Sequence, residues 1–121
     1  MLTKEQALEK VRADLKSPEF AKMSKTYLIR TVYDYDGAYH FTITPGTELS
    51  YFDSHIFEEV VDKKTGKIEM INPSTIVGGF MEAGPVGLMK SRKYMRAVKA
   101  SEPVDLTPEQ WKQMKEWLSA F

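Results

Sequence analysis

Cysteine is absent from the 121-residue chain. That excludes disulfides, thiolate nucleophiles and every cysteine-based zinc or iron–sulfur site. It also fits a reducing compartment, so the cytoplasm is the expected location. Histidine is scarce, with only His40 and His55. Neither H-E-x-x-H nor its inverse occurs, and no G-x-S-x-G elbow presents a serine, so the zinc-protease helix and the hydrolase elbow are both excluded. Long apolar runs are missing too: no stretch approaches the ~20 residues that a membrane-spanning helix needs. The opening MLTKEQALEKV is charged from Lys4 onward, which does not suit a secretion signal. No low-complexity tract is present.

Net charge is likewise lacking, since 17 basic and 17 acidic residues cancel. The zero total hides two fields of opposite sign. Between Thr31 and Asp62 stand seven acids (Asp34, Asp36, Glu48, Asp53, Glu58, Glu59, Asp62) and not one Lys or Arg. Between Val86 and Ala100 stand five bases (Lys90, Arg92, Lys93, Arg96, Lys99) and no acid. Such asymmetry bears on partners and association rather than on fold.

What is present describes a folded domain. Apolar residues at 42% and charged residues at 28% lie near the globular average. The length suits one domain over residues 1–121 with a single core. Six Tyr, six Phe and two Trp supply large, well-shaped core residues.

Local signals order the elements. Thr3 and Gln6 form a capping box and Leu2 a staple onto Ala7. Ala7, Leu8, Val11 and Leu15 then recur on one helical face up to the break at Ser17-Pro18. Residues 19–25 read as a connector with one further helical turn. TYLIRTVYDYDGAYHFTITPGTE reads as a β-hairpin with Asp36-Gly37 at its turn, where positive φ is expected. On its second arm Tyr39, Phe41 and Ile43 alternate with His40, Thr42 and Thr44.

A third strand over 54–61 and a fourth over 67–71 follow, and 74–77 suits a short fifth. A helix is expected over 88–100, SEPVD reads as a linker, and Leu106, Thr107, Pro108 and Gln110 open a last helix. That helix carries Trp111, Met114, Trp117, Leu118 and Phe121 on its apolar face. The expected architecture is α+β: an N-terminal helix on a four- or five-stranded antiparallel sheet, with residues 86–121 as a helical C-terminal extension.

Few chemistries fit the remaining motifs. Thr65-Gly66-Lys67 resembles part of a phosphate loop, but Val61 stands where the first glycine belongs and Ile68 where Ser or Thr belongs. A hairpin turn accounts for the same residues. The glycines at 78, 79, 84 and 87 do not match the dinucleotide spacing and read as a loop. Asp53, His55 and Glu59 share one strand parity, where a hard cation is geometrically possible; a solvated polar strand face is the simpler account of them. Arg92, Arg96 and Lys99 recur at i, i+4, i+7 and would make an anion- or partner-binding stripe on a helix. A pI near 6.7 and the acidic stretch weigh against nucleic acid.

The segments LTKEQALEKVRADL, AYHFTI and EEVVDKKTGKIEMI together resemble small bacterial α+β domains of the cystatin-like kind. PepSY domains and the toxin-immunity family called immunity protein 35 are of this kind. There a helix beginning Thr-Lys-Glu-x-Ala packs on a sheet whose late hairpin reads Val-Asp-x-x-Thr-Gly-x-Ile, here Val61, Asp62, Thr65, Gly66 and Ile68. The resemblance covers residues 2–71, and the chain after Asn72 departs from it. It implies a binder with no catalytic residues and no cofactor. The functional expectation is therefore a non-enzymatic interaction module, of the immunity or inhibitory type, that offers Asp53, Glu58, Glu59 and Asp62 to a basic protein partner. The alternative is a small-ligand or divalent-metal domain with its site near residues 78–87. A purely structural reading, in which the two charge fields pair internally or across a homodimer, is a further alternative.

Overall fold

The computed structural model describes residues 1–47, 56–71 and 101–119, with the side chains of 71 and 117–119 left aside. The expected helix over 88–100, the strand over 74–77 and the glycine-rich loop lie outside these residues. Two N-terminal helices, α1 (Lys4–Asp14) and α2 (Pro18–Met23), precede β1 (Tyr27–Asp34) and β2 (Ala38–Pro45). Then come β3 (Phe57–Asp62), β4 (Ile68–Ile71), β5 (Glu102–Pro103) and a C-terminal helix, α3 (Pro108–Ser119). The five strands form one antiparallel sheet in the order β4-β3-β2-β1-β5, and the fold is α+β.

The helix starts form as their residues dictate. The Thr3 hydroxyl accepts from the Gln6 amide while the Gln6 side chain accepts from the Thr3 amide. Thr107 and Gln110 repeat the exchange before α3. Each box satisfies two otherwise orphaned amides. Ser17 precedes Pro18, whose fixed φ suits the first turn of α2.

Strand parity builds the core. Ile29, Val32, Tyr39, Phe41, Ile43, Phe57 and Val61 turn to the face covered by Ala7, Val11, Leu15 and Phe20, and form one buried cluster. Within it three rings lock α2 to the sheet. Phe20 stacks on Phe57 at 5.6 Å and meets Tyr27 edge-on at 5.7 Å; Tyr27 and Phe57 are 6.0 Å apart. Such pairs contribute about 0.5–1.5 kcal/mol each beyond their buried area. The Tyr27 hydroxyl also donates to the Phe20 carbonyl. The register shifts between Ile29 and Thr31, a bulge that leaves Arg30 as the extra residue.

Two expectations are corrected by nonlocal pairing. SEPVD, expected as a linker, supplies the fifth described strand: Glu102 and Pro103 pair with Val32 and Thr31. Proline is tolerated there because β5 is the outermost described strand on that side. Ion pairs fix the same segment to α1, between Lys4 and Glu102 and, bidentate at 2.7 and 3.0 Å, between Arg12 and Asp105. The second correction concerns Gly37, which does not adopt positive φ; Gly46 at 88° and Gly66 at 72° do. Gly37 instead offers its carbonyl to the Lys63 amide, joining the two hairpin turns.

At Gly66 a side chain would be strained by the backbone and crowded by Lys10 and Leu2, within 3.0–3.3 Å. Gly66→Ala should cost about 1–2 kcal/mol in urea unfolding, and Gly66→Asn distinctly less, because asparagine tolerates the left-handed region.

Candidate functional site

The face of the sheet opposite α1 carries its polar residues. On β2 these are His40, Thr42 and Thr44; on β3 they are Glu58 and Asp62, with Val60 between; on β4 Glu69 has the same parity. Thr31 and Thr42 join hydroxyls at 2.7 Å. The His40 Nδ1 lies 3.5 Å from a Glu58 carboxylate oxygen, at the long end of hydrogen-bond distance. Tyr35 leans over His40 with ring centres 4.4 Å apart, and Tyr33 meets Tyr35 edge-on at 6.4 Å. Burial first, then the charge of Glu58 and the phenol of Tyr33, push the Tyr35 phenol up to about 12.

Next to His40, Ala38, Val60, Asp62, Thr65, Lys67 and Glu69 line a shallow depression of about 130 Å³. This is well below the roughly 300–1,000 Å³ of sites that enclose a small molecule. Its rim is shaped by the hairpin turn. The Asp62 carboxylate accepts from the Lys64 and Thr65 amides at 2.8 Å, which holds it below the ordinary carboxylate range. Lys67 and Glu69 stand 3.7 Å apart, both well exposed. Lys63 is turned away, its ammonium on Asp34 and 4.6 Å from the centre of the Tyr39 ring. The cation in the turn closest to the core thus does not neutralise the outer face.

The structure does not gather the four predicted acids on one surface. Glu58 and Asp62 share the outer face, whereas Glu59 points inward between Phe57 and Val61 and is 0% exposed. The reason is the two-residue period of the strand: adjacent side chains must take opposite faces. Of the cation set Asp53, His55 and Glu59, the one described member, Glu59, has its carboxyl in the core. Asp53 and His55 themselves are outside the described residues, as are Arg92, Arg96, Lys99 and the residues 78–87 of the alternative ligand site. Among the described residues no group of three or more metal-ligating side chains is gathered, and no helix is long and apolar enough to cross a membrane.

Sequence reasoning missed Glu69, the Tyr35–His40 contact and the inward turn of Glu59. A signal for the last was present: Phe57, Glu59 and Val61 share one parity, and the flanking two are plainly core residues. The Tyr35–His40 contact carries no such signal, because it depends on how the first hairpin turn folds back. Compared with known protein families, curated proteins and solved structures, the chain matches none.

The phenol of Tyr35 offers a direct check on the cluster. In a tyrosinate absorbance titration, Tyr35→Phe should remove a step near 12. Glu58→Gln should move that step to lower pH, because the carboxylate disfavours a second negative charge beside it.

Proposed function

We propose that the chain is a non-enzymatic protein-interaction module, of the toxin-immunity or inhibitory type, that receives a basic protein partner on the outer face of β3 and β4. The carrying observation is the placement of Glu58, Asp62 and Glu69 on that one face, where Asp62 and Glu69 line a shallow open depression. A shallow, open and largely acidic depression suits a protein partner better than a small molecule. Opposite charge steers such a partner in and fixes its orientation. Glu69 replaces Glu59 in the set, since Glu59 is buried. A reducing cytoplasm is the compartment that fits a cysteine-free chain.

A partner recovered by affinity capture and identified should bind the variant Glu58→Gln/Asp62→Asn/Glu69→Lys at least ~10-fold more weakly than wild type, the loss of about 1.4 kcal/mol. Asparagine at 62 keeps the acceptor for the turn amides, so the hairpin survives. Charge-matched changes at Glu5, Glu9 and Glu19, which are exposed on α1 and α2, should leave binding intact. Equal affinity for the outer-face variant and wild type would exclude this surface.

A further inference from the structure

Glu59 is an acid held where the chain otherwise places Phe57, Val61 and Phe41. Its side chain is 0% exposed, and with both acids ionised its two oxygens find no donor among the described residues. The titratable group that faces it is a second acid, Asp14, the last residue of α1. That end of a helix is the negative end of its dipole, so nothing in the helix favours another negative charge there. The neighbours on the other packed elements are uncharged: Phe41 on β2, Met70 on β4, and Phe57 and Val61 on β3. The nearby cations of α1 are directed elsewhere, Arg12 to Asp105 and Lys10 over Gly66.

Two ionised carboxylates in this place repel through a medium of low dielectric, and both are acceptors only. One proton between them converts the repulsion into a charge-assisted O–H···O⁻ bond. We propose that Glu59 and Asp14 share one proton, which acts as a clasp between β3 and the C-terminal turns of α1. Its loss in alkaline medium loosens those turns and uncovers the inner face of the sheet.

The direction follows from proton linkage. Burial first, then the hydrogen bond and charge of Asp14, push the Glu59 carboxyl from its ordinary 4.5 up to about 9. Between those values the folded chain holds a proton that the unfolded chain has lost. Stability is therefore full at pH below the lower value, declines as pH rises through the window, and levels off above the upper one. A single linked proton limits the decline to about tenfold in the folding constant per pH unit.

Carboxyl-carbon NMR titration of the wild-type chain reads the proton directly. One glutamate, Glu59, should titrate near 9. A Glu59 carbon that titrates in the ordinary carboxylate range overturns the proposal. Over the same pH span, amide exchange corrected for its intrinsic rate should show protection falling at Val11 and Leu15 while β1 and β2 keep theirs. Uniform loss across the molecule would overturn the clasp. Glu59→Gln should abolish the pH step in melting temperature, and Asp14→Asn should move it to lower pH without removing it. A wild-type step retained in Glu59→Gln would sink the idea. Calcium or magnesium at about pH 8 should leave the melting temperature unchanged; a rise that Glu59→Gln removes would make this a cation site rather than a proton clasp.

Discussion

A strand cannot turn two successive side chains to the same side, and that constraint on β3 governs the molecule. Phe57, Glu59 and Val61 face the helices; Glu58, Val60 and Asp62 face away. From this follows the division of the acids into one that belongs to the core and others that belong to a surface. Slipping β3 by one residue would expose Phe57 and Val61 and bury Glu58 and Asp62, so the apolar pair fixes the register. The cost is a carboxyl group among hydrocarbon, which nature tolerates when it is neutralised rather than ionised.

Both faces of the sheet depend on the β3–β4 turn, and its chemistry is local. Asp62 bonds the amides of Lys64 and Thr65, Gly66 supplies the positive φ, and the Gly66 amide donates to the Asp62 carbonyl. The Lys63 carbonyl takes the Leu2 amide while its ammonium takes Asp34. One turn thus anchors the chain start, the first hairpin and the acidic rim together. Surface ion pairs of this kind contribute little singly, about 0–1 kcal/mol; their role here is to fix orientation.

Much of this was legible in the residues. The two capping boxes, the two hairpins and the α+β order rest on contacts within a few positions, and short-range chemistry announces itself. What escaped rests on long-range pairing. Glu102-Pro103 has no strand periodicity of its own; it is a strand because Val32 and Thr31 offer it an edge. Asp36-Gly37 looked like a turn needing positive φ, yet the three-residue connection satisfies itself otherwise, with Tyr35 donating to the Ala38 carbonyl. Glu59 resembled its neighbour Glu58 in type, and only the pairing of β3 with β2 separates their fates. Glu58 and Asp62 share the outer face, while Glu59 and Glu69 are assigned to their faces by parity alone.

The ties between α1 and the segment after residue 100 join the two ends of the folding process as well. Lys4 and Glu102 are 98 positions apart, and Arg12 and Asp105 are 93. The hairpins close over only a few residues, so they need no such wait. Among the described residues nothing but β5 pairs with the free edge of β1, so that pairing waits until the last fifth of the chain emerges. The entropy of closing so large a loop grows only slowly with its length. The quantity at stake is therefore time: the β1 edge bearing Val32 awaits its two-residue described partner, and the proline in that strand then withholds a donor from any further chain seeking to pair.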